Sequence, residues 1–140
     1  MTYASQSDLV DRFGATELAQ RTDRINGATI DAVVLGRALA DADAEIDGYL
    51  ATRYQLPLAS VPAMLVRLAS DMARYQLCDD KVPDAVRQRY EDAVSLLKRM
   101  ASGDVQLTGA TLVVVSGGSG NAVATRTPDR VFSADQLASY

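Results

Sequence analysis

At 140 residues, with a formal charge of −4 and 48% apolar residues, the chain has the size and composition of one domain that folds without metals or disulfides. The acidic balance excludes a protein whose main work is neutralising phosphates, because that requires a basic surface. The sequence has no histidine and a single cysteine, which removes the commonest general base and the thiolate zinc sites.

Ser5 or Ser7 can cap a short helix through Phe13, with Gly14 as its stop and a second short turn over Thr16 to Arg21. Thr22 to Ile30 holds Asp23 and the pair Asn26-Gly27 and reads as a loop, because Asn and Gly tolerate positive φ. From the N-cap residue Asp31 onward, Leu35, Leu39, Ala42, Ile46, Tyr49, Leu50 and Tyr54 recur at helical spacing. They predict one long amphipathic helix whose opposite stripe is Arg37, Asp41, Glu45 and Thr52. Pro57 breaks it, and Pro62 suits the first turn of the next helix. That helix carries Met64, Leu65, Leu68, Ala69, Met72 and Tyr75 on its apolar side and ends before Asp79-Asp80-Lys81. Pro83 and Asp84 open a third main helix, with Val86, Tyr90, Ala93, Val94, Leu97 and Met100 inward and Gly103 as its stop. The prediction is a mainly α protein, a compact antiparallel helical bundle over residues 1–107.

After Gly103 the composition changes. Thr111 to Val115 is a β-branched run, a Gly/Ser-rich loop follows to Asn121, and Ala122 to Thr127 completes the outline of a β-hairpin or extended arm over residues 108–140. The bundle buries its helices without this arm, so the arm is expected to reach a partner. Arg130, Val131, Phe132 and Leu137 are its anchor candidates, since a large apolar residue such as Phe132 has no intramolecular core to enter. Strand addition by Thr111 to Val115 or Ala122 to Thr127 to a neighbour's edge would supply main-chain hydrogen bonds.

The chemistry-bearing residues point to structure. Cys78 lies on an apolar-patterned stretch and reads as a buried thiol in a reducing compartment. With Gly27 at the sixth position of a calcium loop, the first, third and twelfth fall on Thr22, Arg24 and Val33, so the ligands are missing. The Gly/Ser loop lacks the Lys-Ser/Thr pair of a phosphate cradle. Asp43 and Asp47 lie one helical turn apart and repel unless a cation stands between them. Arg67 and Arg74 on the following helix, with Asp71 between them, are expected to form an interhelical ion-pair lattice with these acids. No cofactor or metal is expected. Two other readings stay open: a carboxylate-based hydrolase built on Asp43 and Asp47, and a DNA-binding regulator whose helix, turn and helix lie around Ala59 to Pro62. No apolar run approaches the roughly 18 residues of a membrane span. The opening MTYASQSDLV has neither a basic nor an apolar signal region, so no membrane partner and a cytoplasmic setting are expected.

The order of motifs is nonetheless specific. Ser7-Asp8-Leu9 with Arg12-Phe13-Gly14, Ile30-Asp31, Ala40 to Asp47 with Tyr49-Leu50 and Arg53-Tyr54, Pro57-Leu58, Val61-Pro62, Arg67, Asp71 to Tyr75 and Arg89 to Ala93 follow one another. Over roughly residues 3–107, with an echo at Arg130 to Ser133 and Leu137, this resembles the Mu-like prophage family of small neck proteins, related to the head-tail connector proteins of long-tailed phages. The resemblance implies a non-enzymatic virion protein, a helical adaptor in a homo-oligomeric, commonly twelve-fold ring. The ring would join the portal protein to the tail-side neck or stopper protein, with genomic DNA passing through its lumen without specific binding. It also implies assembly in the host cytoplasm and makes the portal the expected partner of the arm.

Overall fold

The computed structural model describes residues 1–114. Five helices follow in order: α1 Gln6–Phe13, α2 Ala15–Thr22, α3 Ala32–Leu50, α4 Ala63–Gln76 and α5 Asp84–Ser102. Among the described residues there is no strand, only one isolated antiparallel bridge. Val115, the Gly/Ser loop and the arm positions Arg130, Val131, Phe132 and Leu137 lie outside the described residues.

The helix ends follow local chemistry. Ser5 caps α1 in a reciprocal box with Asp8, which satisfies backbone donors that the first turn leaves open. Gly14, at φ 86°, ends α1 and begins α2. Asp31 accepts from Val33 N at 2.8 Å and Val34 N at 3.2 Å, and its own N–H donates to the buried Thr22 Oγ1 at 3.0 Å. The loop between α2 and α3 is therefore tied at both ends. Within it, Asp23 Oδ1 accepts from Ile25 N and Asn26 N at 3.1 Å each, and Gly27 takes φ 61°. These backbone donors hold the Asp23 carboxyl below its usual range. The side chain is thus occupied in shaping a turn, as the loop reading expects.

The three long helices pack on one another, α4 also contacts α1, and α2 contacts both α1 and α3. Leu35, Ala42, Ile46 and Leu50 of α3, Leu65, Leu68, Ala69 and Met72 of α4, and Ala93, Leu97 and Met100 of α5 form the core with Tyr3, Leu9 and Leu18. Their positions agree with the apolar stripes read from the sequence. One boundary differs: α3 ends at Leu50 rather than continuing to Tyr54. Arg53 N and Tyr54 N both turn back to Leu50 O, at 3.0 and 2.8 Å, which swings the Tyr54 ring into the core at 2% exposure. Its hydroxyl then accepts from Leu107 N at 3.2 Å.

That contact carries the chain beyond α5. Gly103 closes α5 in the left-handed conformation at φ 93°, and the Arg53 guanidinium occupies the space a Cβ would take there. Leu107 is buried, Gln55 N donates to Thr111 O at 2.9 Å, and Val113 N donates to Arg53 O at 2.8 Å around the Tyr54–Leu112 bridge. This corrects one expectation. Residues 111–113 already pair with the chain's own 53–55, so they are not a free strand awaiting a neighbour's edge; the hydrogen bonds are satisfied locally once Tyr54 turns inward.

Two glycines should respond with opposite signs to alanine. Gly48 is an exposed position within α3 with open space at its Cβ, so Gly48→Ala is expected to stabilise by about 0.5–1 kcal/mol. Gly103→Ala combines left-handed strain with displacement of Arg53 and should cost about 1–3 kcal/mol. Urea unfolding of both variants checks the pair.

Candidate functional site

The charged residues singled out above fall into three separate clusters, not one lattice. At the first, the buried segment Tyr3-Ala4 lies over α3. Asp43 Oδ1 accepts from Tyr3 N at 3.0 Å, while Asp47 accepts from the Tyr3 hydroxyl at 2.5 Å and from the Met1 ammonium at 2.8 Å. A cation does stand beside the acid pair, but it is the amino group, not an arginine. Burial pushes the Asp43 carboxyl up, against the lowering effect of the Tyr3 N–H. Burial and the Asp47 hydrogen bond likewise raise the Tyr3 phenol. These acids are thus engaged in anchoring residues 1–3 on α3.

The second cluster joins α2 to α4. Glu17 accepts from Arg74 Nε at 2.8 Å and Nη2 at 3.1 Å, and from Arg21 Nε at 3.0 Å. The Arg74 guanidinium also lies 4.5 Å from the centre of the Phe13 ring. Arg74 therefore pairs with α2 and not with the long helix, because Glu17 offers it both carboxylate oxygens. Cys78 is half-buried here, its sulfur within 2.9 Å of Arg21 Nη1, and burial pushes its thiol up. Periodicity within α4 gives no sign of this arrangement, since Glu17 sits on a short helix whose direction is fixed only by packing.

The third cluster surrounds Asp71, which is buried in the middle of α4. Its ion-pair partner is Arg89 of α5, at 3.7 Å, while Arg12 and Arg67 line the same cavity with Phe13. Burial raises the Asp71 carboxyl, and Arg89, then Arg67 and Arg12, oppose that shift. Arg67 is near Asp71 but forms no ion pair with it among the described residues. Of the expected lattice, neither Arg67 nor Arg74 reaches Asp43 or Asp47.

Tyr75 and Tyr90 stack at 4.1 Å between α4 and α5, with the Tyr90 hydroxyl donating to Glu45 at 2.8 Å. Burial, then that hydrogen bond, pushes the Tyr90 phenol up to about 12. Ile25 and Val33 are the exposed apolar residues near the α2–α3 loop, at 92% and 63%. Among the described residues, no group of three His, Cys, Asp or Glu side chains converges to hold a metal, and no helix is long and apolar enough to cross a membrane. The joint from 51 to 62 is long and irregular, with a cis Leu56–Pro57 peptide, unlike the three- or four-residue turn of a DNA-reading helix pair.

Residues 3–124 match the family described as bacteriophage Mu, Gp36. The chain belongs to that family. It is 38% identical over 105 residues to the Mu-like prophage FluMu protein gp36 of Haemophilus influenzae, covering 75% of this chain and 74% of that protein. It is equally 38% identical over 105 residues to gene product J of Escherichia phage Mu, covering 74% of each. The Gp36 family places the chain among phage proteins, in agreement with the resemblance read from the motif order.

Two stability tests follow from the clusters. A carboxyl raised above its unfolded value is penalised when ionised, so Asp43 subtracts stability at neutral pH, and the penalty fades as pH falls through its folded pKa. Asp43→Asn keeps an acceptor for Tyr3 N and should be at least as stable as the parent at neutral pH, with the difference shrinking on acidification. Asp43→Ala leaves that buried N–H unpaired and should cost about 1–3 kcal/mol. In the second test, Arg74→Ala loses charge-assisted bonds at a site with side chains 19% and 28% exposed and should cost about 1.5–3 kcal/mol. Arg24→Ala breaks the exposed pair with Asp79 and should cost less than about 1 kcal/mol. Thermal and urea unfolding of the four variants decide both comparisons.

Proposed function

We propose that this protein is a structural, non-enzymatic virion component, a head-tail adaptor whose copies form a ring joining the portal protein to the tail-side neck or stopper protein. Membership of the Gp36 family is the observation that carries this reading. The fold is compatible with it: a small helical bundle whose acids are occupied in anchoring and pairing, with Arg-rich polar faces for neighbours. Genomic DNA passes through the lumen without specific binding, and a chain of net charge −4 would not hold phosphates strongly enough to impede it. Assembly takes place in the host cytoplasm and leaves the protein in the virion neck.

On the five helices Val33 is the exposed large apolar side chain, with Ile25 in the α2–α3 loop and the run Leu112 to Val114 beyond α5 completing the exposed apolar residues among the described ones. Subunit contacts are therefore polar and comparatively small, and the ring is stable only on the portal. The C-terminal arm docks there, through Arg130, Val131, Phe132 and Leu137. Burying Val131, Phe132 and Leu137 contributes roughly 1.5–3 kcal/mol each, enough to offset much of the ordering entropy.

Inactivating the gene in a phage that carries it should yield DNA-filled heads and separate tails that join when the protein is supplied. Joined, infectious particles lacking the chain would refute the adaptor role. Light scattering of the isolated protein at micromolar concentration is expected to show no stable closed ring. Removal of residues 128–140 should leave a folded helical protein that no longer enters particles, and normal incorporation of the truncated chain would refute the anchor.

A further inference from the structure

Arg12 in the last turn of α1, Arg67 in the first half of α4 and Arg89 in α5 converge on one surface cavity of about 360 Å³, with Phe13 and Asp71 completing its lining. The placement follows from packing. Asp71 is one turn after Arg67 on α4, and burial of α4 between α1 and α5 brings the other two arginines to the same spot. The floor is firm: Asp71 is 11% exposed at its side chain, and Phe13 is braced by the Arg74 guanidinium.

The charges do not balance. Three guanidinium groups face one carboxylate, and the closest approach, from Arg89 to Asp71, is 3.7 Å, outside hydrogen-bonding range. Among the described residues, none of the three arginines makes a side-chain hydrogen bond to another residue. All three are exposed to solvent, and they line a cavity that sets one carboxylate against three cations. Asp71 holds the cations together without saturating them.

We propose that this cavity binds carboxylate side chains from an acidic segment of a partner protein. A planar guanidinium fork pairs bidentately with a carboxylate, and Phe13 offers an apolar wall for the methylenes of a Glu or Asp. A nucleic-acid backbone fits the surroundings less well. The three cations form a single spot and not a track that could follow successive phosphates. The proposal rests on the adaptor reading only for where the partner is found, in the phage neck; the binding chemistry stands on the geometry alone.

Fluorescence anisotropy of the full chain with a labelled hexaglutamate peptide at low salt tests it. Saturable binding is expected, weakened at least about tenfold by Arg12→Gln and by Arg67→Gln with Arg89→Gln, and less severely by Arg67→Lys, which keeps the charge but loses the bidentate fork. Arg87→Gln and Arg99→Gln, on exposed positions outside the cavity, should change affinity by less than about twofold. Circular dichroism and melting of each variant separate lost binding from lost fold. No binding of the peptide, or binding that the cavity variants leave unchanged, overturns the proposal. So does a duplex DNA of matched charge, or inorganic phosphate, that binds more tightly and is lost with the same arginines. Because the assay uses no particle, peptide binding would persist even if the adaptor role failed, and the adaptor role would survive a failure here.

Discussion

Helix α4 is enclosed by α1, α3 and α5, and that enclosure dictates which side chains it can carry. Leu68, Ala69, Ser70, Asp71, Met72 and Ala73 are consecutive and all buried, where an ordinary surface helix would bury one stripe. The helix contacts α1, α3 and α5, and the small side chains Ala69, Ser70 and Ala73 leave room for close approach while Leu68 and Met72 fill the core. Ser70 avoids a lost hydrogen bond by donating to Val66 O at 2.7 Å. Asp71 has no such outlet, and its burial in a ring of arginines is the consequence.

The polar clusters share a single logic. Two join a short element to a long helix, Tyr3 to α3 through Asp43 and Asp47 and α2 to α4 through Glu17 and Arg74, and the third, around Asp71, joins α4 to Arg89 of α5. Arginine serves this role better than lysine because its fork makes two directed bonds and its plane lies against Phe13. Of the basic residues only Lys81 and Lys98 are lysines. A particle component that contacts several proteins gains from such a surface, which is specific in geometry and weakly adhesive elsewhere.

The helices were legible because their ends and faces are local properties. Ser5, Asp31, Gly14 and Gly103 act within a few residues of where they sit, and the 3.6-residue repeat of Leu35, Ala42 and Ile46 or of Leu65, Leu68 and Met72 does not depend on tertiary detail. The partners of the arginines were not legible. Whether Arg74 meets Asp47 or Glu17 depends on how two helices are rotated against each other, and no spacing within one helix records that rotation. The end of α3 was missed for a related reason: Tyr54 keeps the helical phase, but its hydroxyl is claimed by Leu107, far along the chain. Family membership was legible in the order of motifs, and the comparison with phage Mu proteins bears it out.

The adaptor role is tested most directly by electron cryo-microscopy of the neck of an assembled particle at a resolution that traces helices. The expected result is a closed ring between portal and tail, in each copy of which the five helices fit the density with α4 enclosed by α1, α3 and α5. A complete head-tail joint whose density contains no such bundle, or this chain located elsewhere in the particle, would contradict it.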